Sequence, residues 1–306
     1  MRRAIALVAA CLLPWLGAAR AETAKIRVSH GYSSSYLVLM AMRDQKLIEK
    51  HAAAAGLGAV EAVWQTIDGG NQINDAMLAG AVDVAGIGVP GFLALWSKTR
   101  GIGKNETIGL TAISGGSMWL MTNQPRIKSL RDFGPADRIA LPGIKTVGMP
   151  HPEAAAALMS GKTEITAHFA SPPFNHAEAA HPGVHRVANT MDIFGPLTIL
   201  MTMARKDFVA TNPRLADAFV AATDEAVAFV ERDKRAAAET YLRVTNAKTA
   251  LAEVERILSD PETGYSATPR GTMEYARFMA RAGTIKAAPG AWTDLFVPKI
   301  HGRPGS

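Results

Sequence analysis

The sequence predicts an α/β protein, and three observations lead to this prediction. Short runs rich in Val and Ile alternate along the chain with segments whose apolar residues recur at helical spacing. The connections are short and rich in glycine, as at Asp68–Asn71 and Gly88–Gly91. A ten-residue pattern at Ala76–Ala85 returns at Ala157–Thr166, with a helix that ends at glycine and an acidic residue before the next strand. The alternation predicts parallel sheet covered by helices, and the repeat predicts two similar lobes with a site between them.

The first half of the chain contains the most regular alternation. The predicted elements are strand Lys25–Ser29, helix Tyr36–Lys50, strand Ala59–Ile67, helix Asn71–Leu78, strand Val82–Ile87, helix Phe92–Lys98 and strand Thr107–Ile113. The strands before the first three helices end in loops of small residues, and all three loops are expected at the same edge of the sheet. Because ligands of such sheets bind at the carboxyl ends of the strands, these loops are candidate binding loops.

The second half continues through a predicted second lobe and returns to the first. Ile113–Met121 is predicted to cross between the lobes, because its two glycines give the backbone freedom; a bulged strand with a core Trp is the alternative. The later predicted strands are Arg138–Leu141, Thr146–Met149, Glu164–Phe169, His185–Met191 and the returning Leu197–Ala204, and the predicted helices are Glu153–Met159, Pro213–Arg232, Arg235–Arg243, Thr249–Leu258 and Thr272–Arg281. The helical apolar residues are predicted to pack in a core.

Residues 1–21 have the features of a secretory signal peptide. Arg2 and Arg3 precede an apolar run, and Ala19–Ala21 fits the small-residue rule for cleavage. Removal of this segment lowers the formal net charge from +6 to +3 and removes Cys11, the only cysteine. The mature chain is therefore expected to have no disulfide and no thiolate chemistry. It has no block of lysine or arginine, so no nucleic acid partner is predicted.

The loop after the first strand is the first candidate site. Ser33, Ser34 and Ser35 follow Gly31 directly before a helical segment that starts at Tyr36. All three serines are good N-cap residues, and the free backbone N–H groups behind them can bind an anion or another oxygen-rich group. The alternative is that one serine only caps the helix.

Other chemistry has weaker support in the sequence. His176, His181 and His185 have no regular ligand spacing, so no metal site is predicted, and solvated loop histidines are the alternative. His168 differs because it lies at the end of a predicted strand, which makes it a candidate ligand contact. The chain has no Gly-x-Ser-x-Gly nucleophile elbow, and Ser160–Thr163 lacks the first glycine of a phosphate loop. No cofactor is predicted.

Several motifs together resemble a known family. They are the serine-rich first loop, Ala-x-x-x-Gly-x-Val-Asp, Gly-Ser-Met-Trp, Ile-Lys-Ser-Leu-Arg-Asp-Phe, Arg-Ile-Ala-Leu-Pro, Glu-Ile-Thr-Ala-His-Phe-x-Ser-Pro-Pro-Phe and Trp-x-Asp-Leu-Phe. Over nearly all of Lys25–Ser306 the chain resembles the nitrate/sulfonate/taurine family of substrate-binding proteins of ABC importers. The resemblance implies a type II periplasmic-binding-protein fold, in which two α/β lobes are joined by two crossing strands and C-terminal helices pack on lobe 1. It places lobe 1 at 22–113 plus 198–306 and lobe 2 at 114–197.

The resemblance also implies a function and a set of contacts. A periplasmic, monomeric protein is expected to bind a small organic anion, such as a sulfonate, nitrate or a taurine-like solute, and to deliver it to an ABC permease with its ATPase. The residues expected to contact the solute are Ser33, Ser34, Ser35, Tyr36, Gly70, Asn71, Gly88, Pro90, Ser117, Trp119, His168 and Ser171. These loops hold hardly any Arg or Lys, which argues against a multiply charged ligand. The protein is not expected to be an enzyme. A synthase of pyrimidine precursors is the enzyme alternative, and the absence of cysteine from the mature chain argues against it.

The chain departs from the family pattern at one place. Only Pro142–Lys145 separates the predicted strands Arg138–Leu141 and Thr146–Met149. Two parallel neighbours in a sheet need a connection of about a dozen residues, so lobe 2 is expected to be shortened by a deletion after Leu141. A truncated family member that no longer binds solute is therefore a further alternative.

Overall fold

A computed structural model describes residues 21–140 and 147–306 of the chain. The strands are β1 (Lys25–His30), β2 (Glu61–Thr66), β3 (Val84–Gly88), β4 (Thr107–Gly116), β5 (Trp119–Thr122), β6 (Ile139–Ala140), β7 (Ala167–Ala170), β8 (His185–Asn189), β9 (Leu197–Arg205) and β10 (Thr263–Gly264). The helices are α1 (Leu37–Asp44), α2 (Leu47–Ala54), α3 (Gly70–Leu78), α4 (Val89–Thr99), α5 (His151–Ser160), α6 (Phe174–Ala180), α7 (Thr190–Phe194), α8 (Lys206–Thr211), α9 (Pro213–Arg232), α10 (Lys234–Thr245), α11 (Leu251–Leu258) and α12 (Thr272–Arg281). None of the helices in these two ranges is long and apolar enough to span a bilayer.

The first sheet has six strands in the order β10-β4-β9-β3-β1-β2. Strand β1 runs parallel to β2 and β3, and its Val28 lies opposite both Trp64 and Val84. Strand β9 lies between β3 and β4 and runs antiparallel to both. The prediction of parallel sheet from the alternation in the first half is therefore confirmed for β1 to β3, whereas no direction was predicted for the returning strand β9. The chain leaves this sheet at the end of β4 and returns at the same edge, so the returning strand must run in the opposite direction.

Helices cover the first sheet and bury a large apolar core, and we call this sheet with its helices the first lobe. Helix α9 packs on α1 and α2, α10 packs on α1, and α12 packs on α4. Leu215, Phe219, Ala222 and Ala226 of α9 are buried, as their helical spacing predicts, whereas Phe229 is only partly buried. The predicted packing of C-terminal helices on this lobe is confirmed.

The second sheet has four strands in the order β6-β7-β5-β8, and we call it, with α5 to α7, the second lobe. Strand β5 is antiparallel to β7 and β8, and β6 is parallel to β7. Of the predicted strand Thr146–Met149 the structure describes Val147–Met149, where Val147 forms a β-bridge and Gly148 and Met149 belong to no strand. The parallel neighbour of β6 is β7, and α5 lies in the connection between them. The predicted deletion after Leu141 falls outside the described residues.

The repeated pattern corresponds to two similar helix ends. Gly80 follows α3 with φ 68°, and Gly161 follows α5 with φ 62°. Both backbones are left-handed, which is the conformation that favours glycine at a helix C-terminus. A strand follows in each case, β3 after Gly80 and β7 after Gly161.

Two short segments join the lobes. The chain passes from β4 to β5 through Ser117 and Met118, and it returns from α7 to β9 through Gly195 and Pro196. Gly116, the last residue of β4, has φ 112°, and a side chain there would meet the backbone carbonyl of Glu262. The first crossing therefore requires glycine at this position.

Candidate functional site

The serine loop after β1 contacts the second lobe directly. The Pro172 carbonyl accepts hydrogen bonds from Ser34 N (3.0 Å), Ser33 Oγ (2.9 Å) and Ser34 Oγ (3.0 Å). Ser33 Oγ also accepts from Ser35 N at 3.1 Å and so caps the short 3-10 turn Ser34–Tyr36. The loop therefore combines the two alternatives considered from the sequence. One serine caps a turn, and donors from the loop also face the opposite lobe.

The loop after β2 provides a second contact between the lobes. The backbone N–H of His151, at the start of α5, donates to Asp68 Oδ2 at 3.1 Å. Gly31 makes this approach possible, since a Cβ there would lie 2.7 Å from Asp68 Oδ1 and 2.6 Å from the ring of Tyr36. Burial raises the pKa of Tyr36, and the nearby Asp68 carboxylate raises it further. Sequence reasoning missed Asp68, although it directly precedes Gly69 and Gly70 in a predicted binding loop.

A third contact between the lobes is centred on Glu262. Its Oε2 accepts from Ser117 Oγ (2.8 Å) and Trp119 Nε1 (2.9 Å), and its Oε1 accepts from Asn189 Nδ2 (2.9 Å). Burial opposes ionisation of this carboxyl, but the hydrogen bonds from Ser117 and Trp119 leave its pKa below the ordinary value. Two residues predicted to contact solute, Ser117 and Trp119, therefore bind a carboxylate of the first lobe that sequence reasoning missed.

A chain of buried hydrogen bonds begins at this interface and runs into the second lobe. Ser171 Oγ lies 2.9 Å from Ser33 Oγ and 3.3 Å from His151 Nε2. His151 Nδ1 lies 2.9 Å from His168 Nε2, and His168 Nδ1 lies 2.5 Å from Glu178 Oε1. All five side chains are buried, and we call this set the relay.

Burial determines the charge of the relay. It lowers the pKa of His151 and His168 to about 4 and raises the pKa of Glu178 to about 8. The neighbouring His168 also lowers the pKa of His151, whereas the Asp68 carboxylate raises it. At neutral pH the imidazoles and the Glu178 carboxyl are therefore uncharged.

The other predicted contact residues lie at the edge of the first sheet. Tyr36 is buried against Gly86. Gly70 and Asn71 begin α3, and Gly88 and Pro90 lie at the start of α4. Within 21–140 and 147–306, none of these last four residues forms a hydrogen bond to the second lobe. Like the serine loop, these four residues lie at or just after the end of a strand, but unlike it they form no hydrogen bond to the described part of the second lobe.

The cleft is closed in this structure and leaves little space. A cavity of about 10 Å³ remains between the lobes, lined among others by Ser35, Ser114, Pro172 and Glu262. That volume holds about one water molecule. Ser114 Oγ is buried there without a hydrogen-bond partner among the described residues. A larger depression of about 510 Å³ lies on the second lobe alone, between Lys128–Arg131 and Val187–Ile193.

Two of the other histidines of the second lobe, His176 and His185, make contacts of their own outside the relay. His176 packs on the ring of Trp119 with 4.8 Å between ring centroids, and His185 Nε2 lies 2.7 Å from the Ile127 carbonyl. In the part of the chain that the structure describes, no three His, Cys, Asp or Glu side chains are grouped to hold a metal ion.

The architecture and the cleft define a class. Two α/β lobes are joined by two crossings, the returning strand is inserted antiparallel into the first sheet, and polar groups from both lobes meet in the cleft. This is a type II periplasmic-binding-protein fold, and the fold predicted from the resemblance is confirmed.

Comparison with solved structures agrees with this class. The alkanesulfonate-binding protein SsuA from Xanthomonas axonopodis pv. citri, bound to MOPS, matches with a TM-score of 0.68 and 16% identity over 87% of this chain and 95% of that one. The periplasmic nitrate-binding protein NrtA from Synechocystis PCC 6803 matches with a TM-score of 0.66 and 14% identity over 90% and 84%. A Candida albicans protein described as having the generic periplasmic binding protein fold matches with a TM-score of 0.58 and 12% identity over 90% and 94%.

Sequence comparisons add nothing to this likeness. No family model matches the chain, and no curated protein matches it significantly. At these identities the structural likeness shows the fold, and function has to be argued from the cleft.

Proposed function

We propose that this protein is the periplasmic solute-binding component of an ABC importer, which closes its two lobes over a small solute and delivers it to a permease driven by an ATPase. The observation that carries the proposal is the meeting of polar groups from both lobes, Ser33 and Ser34 with Pro172, and Asp68 with His151. When the lobes separate, these groups are released together and become available to a solute. The described functions of SsuA and NrtA support the same proposal.

The contacts in the cleft also bear on the class of solute. The donors of Ser33, Ser34 and the His151 backbone all bind oxygen atoms in the closed structure, which supports a small organic anion such as a sulfonate. Asp68 and Glu262 place carboxyl groups in two of the contacts between the lobes, which opposes a multiply charged anion. The proposed solute therefore has a single anionic group, and a protonated amine on the same molecule would favour binding.

The proposed contact residues remain those predicted from the sequence, with Asp68 and Glu262 added. We also propose that the protein is exported through the signal peptide at residues 1–21, of which the structure describes only Ala21, and that it acts as a monomer. The proposed lobe boundaries are 22–113 plus 198–306 and 114–197.

A thermal-shift panel tests the proposal. It contains ethanesulfonate, 2-aminoethanesulfonate, nitrate, acetate, ethylamine and a pyrimidine. A ligand that binds only the folded protein raises the melting temperature, and we expect a sulfonate to do so. Ser34→Ala should weaken that binding about tenfold, since it removes one donor to a charged group. Ser259→Ala is the matched control, because Ser259 is exposed at the end of α11 in the first lobe.

Other outcomes of the panel contradict the proposal. If no solute raises the melting temperature, the alternative of a binding-defective member is favoured. Stabilisation by the pyrimidine together with its chemical conversion would favour the secreted enzyme.

A further inference from the structure

The relay has a direction that depends on protons. A neutral imidazole has one nitrogen that donates and one that accepts, so a chain through two imidazoles can point only one way at a time. His151 and His168 each use both ring nitrogens within the relay. The proton on Glu178, at the interior end, therefore decides how every following hydrogen bond is oriented.

When Glu178 is protonated, the donors point toward the cleft. Its carboxyl O–H donates to His168 Nδ1, and His168 Nε2–H donates to His151 Nδ1. The hydrogen bonds that complete this direction are His151 Nε2–H to Ser171 Oγ, Ser171 O–H to Ser33 Oγ and Ser33 O–H to the Pro172 carbonyl. The last two join the lobes, so this direction retains every contact seen between them.

When Glu178 is ionised, it can only accept. His168 Nδ1–H then donates to Glu178 and His151 Nδ1–H donates to His168, which leaves His151 Nε2 as an acceptor for the Ser171 hydroxyl. Ser171 has one proton, and using it for His151 removes the hydrogen bond to Ser33. If the Ser33 hydroxyl turns to Ser171 instead, Pro172 loses that donor. Either arrangement removes one contact between the lobes.

We propose that Glu178 is a proton switch that sets the direction of the relay and thereby controls closure of the two lobes. The proposal concerns the lobes themselves and holds whichever solute they bind. The geometry at Glu178 supports a neutral carboxyl in the closed structure, because its buried Oε2 has no hydrogen-bond partner among the described residues. An ionised carboxylate in that position would lack solvation at one oxygen. Burial raises the pKa of Glu178 to about 8, which allows the switch to operate near neutral and mildly alkaline pH.

Among the described residues outside the relay, Asp68 is the charged group that affects a pKa of the relay, and it acts at His151 and not at His168 or Glu178. The titratable groups on α6 and on the elements around it are His151 and Glu153 on α5, His168 on β7, His185 and Arg186 on β8, and His176 on α6, with Asp68 facing His151 from the first lobe. Glu153 is exposed, and Arg186 lies over the ring of Trp119 at 4.8 Å. Within the described ranges, only His168 is hydrogen-bonded to the Glu178 carboxyl.

Nitrogen-15 NMR of the histidines tests the direction of the relay. Between about pH 6.5 and about pH 9.5, His151 and His168 should change together from the Nε2–H to the Nδ1–H tautomer. Glu178→Gln cannot ionise, so both imidazoles should keep the same tautomer throughout this pH range. The exposed Glu164→Gln, also in the second lobe, is the matched control and should behave like wild type. Tautomers that stay constant in wild type, or that change equally in Glu178→Gln, would overturn the proposal.

Small-angle scattering over the same pH range tests the link to closure. The radius of gyration of the solute-free wild type should increase as Glu178 ionises, and that of Glu178→Gln should stay constant. Ser171→Ala interrupts the relay at the interface, so its histidines should still change tautomer while its lobes no longer respond to pH. A pH response that persists in Ser171→Ala contradicts the link. These measurements need no solute, so their failure and the failure of the proposed function are distinguishable.

Discussion

The two lobes are built from similar elements, but their interiors differ in chemistry. The first lobe buries one continuous apolar cluster that includes Phe92, Phe219 and Phe296. Among its described residues, the second lobe buries two small clusters, one of which consists of Met121, Leu158, Ala170 and Val184. Several other side chains buried in the second lobe are polar, among them those of His151, His168, Ser171, Asn175 and Glu178.

This difference separates two kinds of stabilisation. Burial of apolar surface has no direction and changes little with pH. A buried hydrogen-bond network depends on where each proton lies and is costly when one member loses its partner. The first lobe is therefore expected to act as a rigid frame, and the second lobe is expected to respond to protons.

The largest predicted effect comes from removing a buried side chain from the apolar core of the first lobe. Phe219→Ala should lower the free energy of unfolding by about 3–5 kcal/mol, because Phe219 is fully buried in α9. Leu158→Ala in the second lobe should cost less, about 2–3 kcal/mol, since fewer apolar residues surround it. Urea denaturation at constant pH measures both. Equal losses would contradict the difference between the cores.

The next largest effect is a decrease in stability as pH rises, which Glu178 of the second lobe should cause. Folding raises the pKa of Glu178 from 4.5 to about 8, so between these values the folded protein holds a proton that the unfolded chain has released. Stability therefore decreases as pH rises, by up to about 1.4 kcal/mol per pH unit. His151 and His168, lowered from 6.5 to about 4, act in the opposite sense below pH 6.5.

Between about pH 6.5 and about pH 8, Glu178 is the one member of the relay that titrates, so the effect of Glu178 on stability can be measured without that of the histidines. Urea unfolding in this window should show a decline for wild type and for Glu164→Gln. Glu178→Gln should show a flat profile there. A parallel decline in all three proteins would assign the effect to other groups.

A smaller effect is expected from the contact between the lobes at Asp68. Asp68→Ala removes the acceptor of the His151 N–H and should weaken closure by about 1 kcal/mol. Because this change leaves both cores intact, it should lower the free energy of unfolding by less than it lowers the free energy of closure. Fluorescence transfer between labels on the two lobes measures closure. Asp75→Ala, at an exposed position of α3, is the matched control and should leave the transfer unchanged.

The smallest effect is expected at a surface ion pair of the first lobe. Lys299 Nζ lies 3.1 Å from Asp217 Oδ2, and both side chains are about half exposed. Lys299→Ala should change the free energy of unfolding by less than about 0.5 kcal/mol. Thermal denaturation at two salt concentrations checks this value. A loss as large as that of Leu158→Ala would mean that charge, and not only apolar burial, holds the first lobe together.

The sequence predicted most elements correctly but not every point at which a helix is interrupted. Strand β1 and helix α9 lie where periodicity predicts them, because one face of each is apolar. The predicted helix Tyr36–Lys50 is instead α1 and α2, separated at Lys46 with φ 51°. Lysine is not a residue type that indicates left-handed backbone, so this interruption of the helix could not be predicted from the sequence. The antiparallel direction of β9 follows from the path of the chain and not from its residues.

The candidate site shows a similar limit. The serines were found because their loop directly follows β1. Asp68 and Glu262 were missed because their partners lie far away in the sequence, His151 at a separation of 83 residues and Ser117 at 145. Ser33, His168 and Ser171 of the relay were predicted as contact residues, but their connection to His151 and Glu178 was missed, since only the folded second lobe brings α5, β7 and α6 together.

The position of β9 has a consequence for the order in which the chain folds. Strands β3 and β4 are both complete by residue 116, yet each must wait for β9, which begins at residue 197, before its open edge is paired. Until then one edge of β3 and both edges of β4 are available for wrong partners, since the other neighbour of β4, β10, begins only at residue 263. The second lobe lies within this interval and pairs mostly with itself, so it can form first. A nascent chain stopped before residue 197 would thus contain one finished lobe and one open sheet, although the open sheet began first.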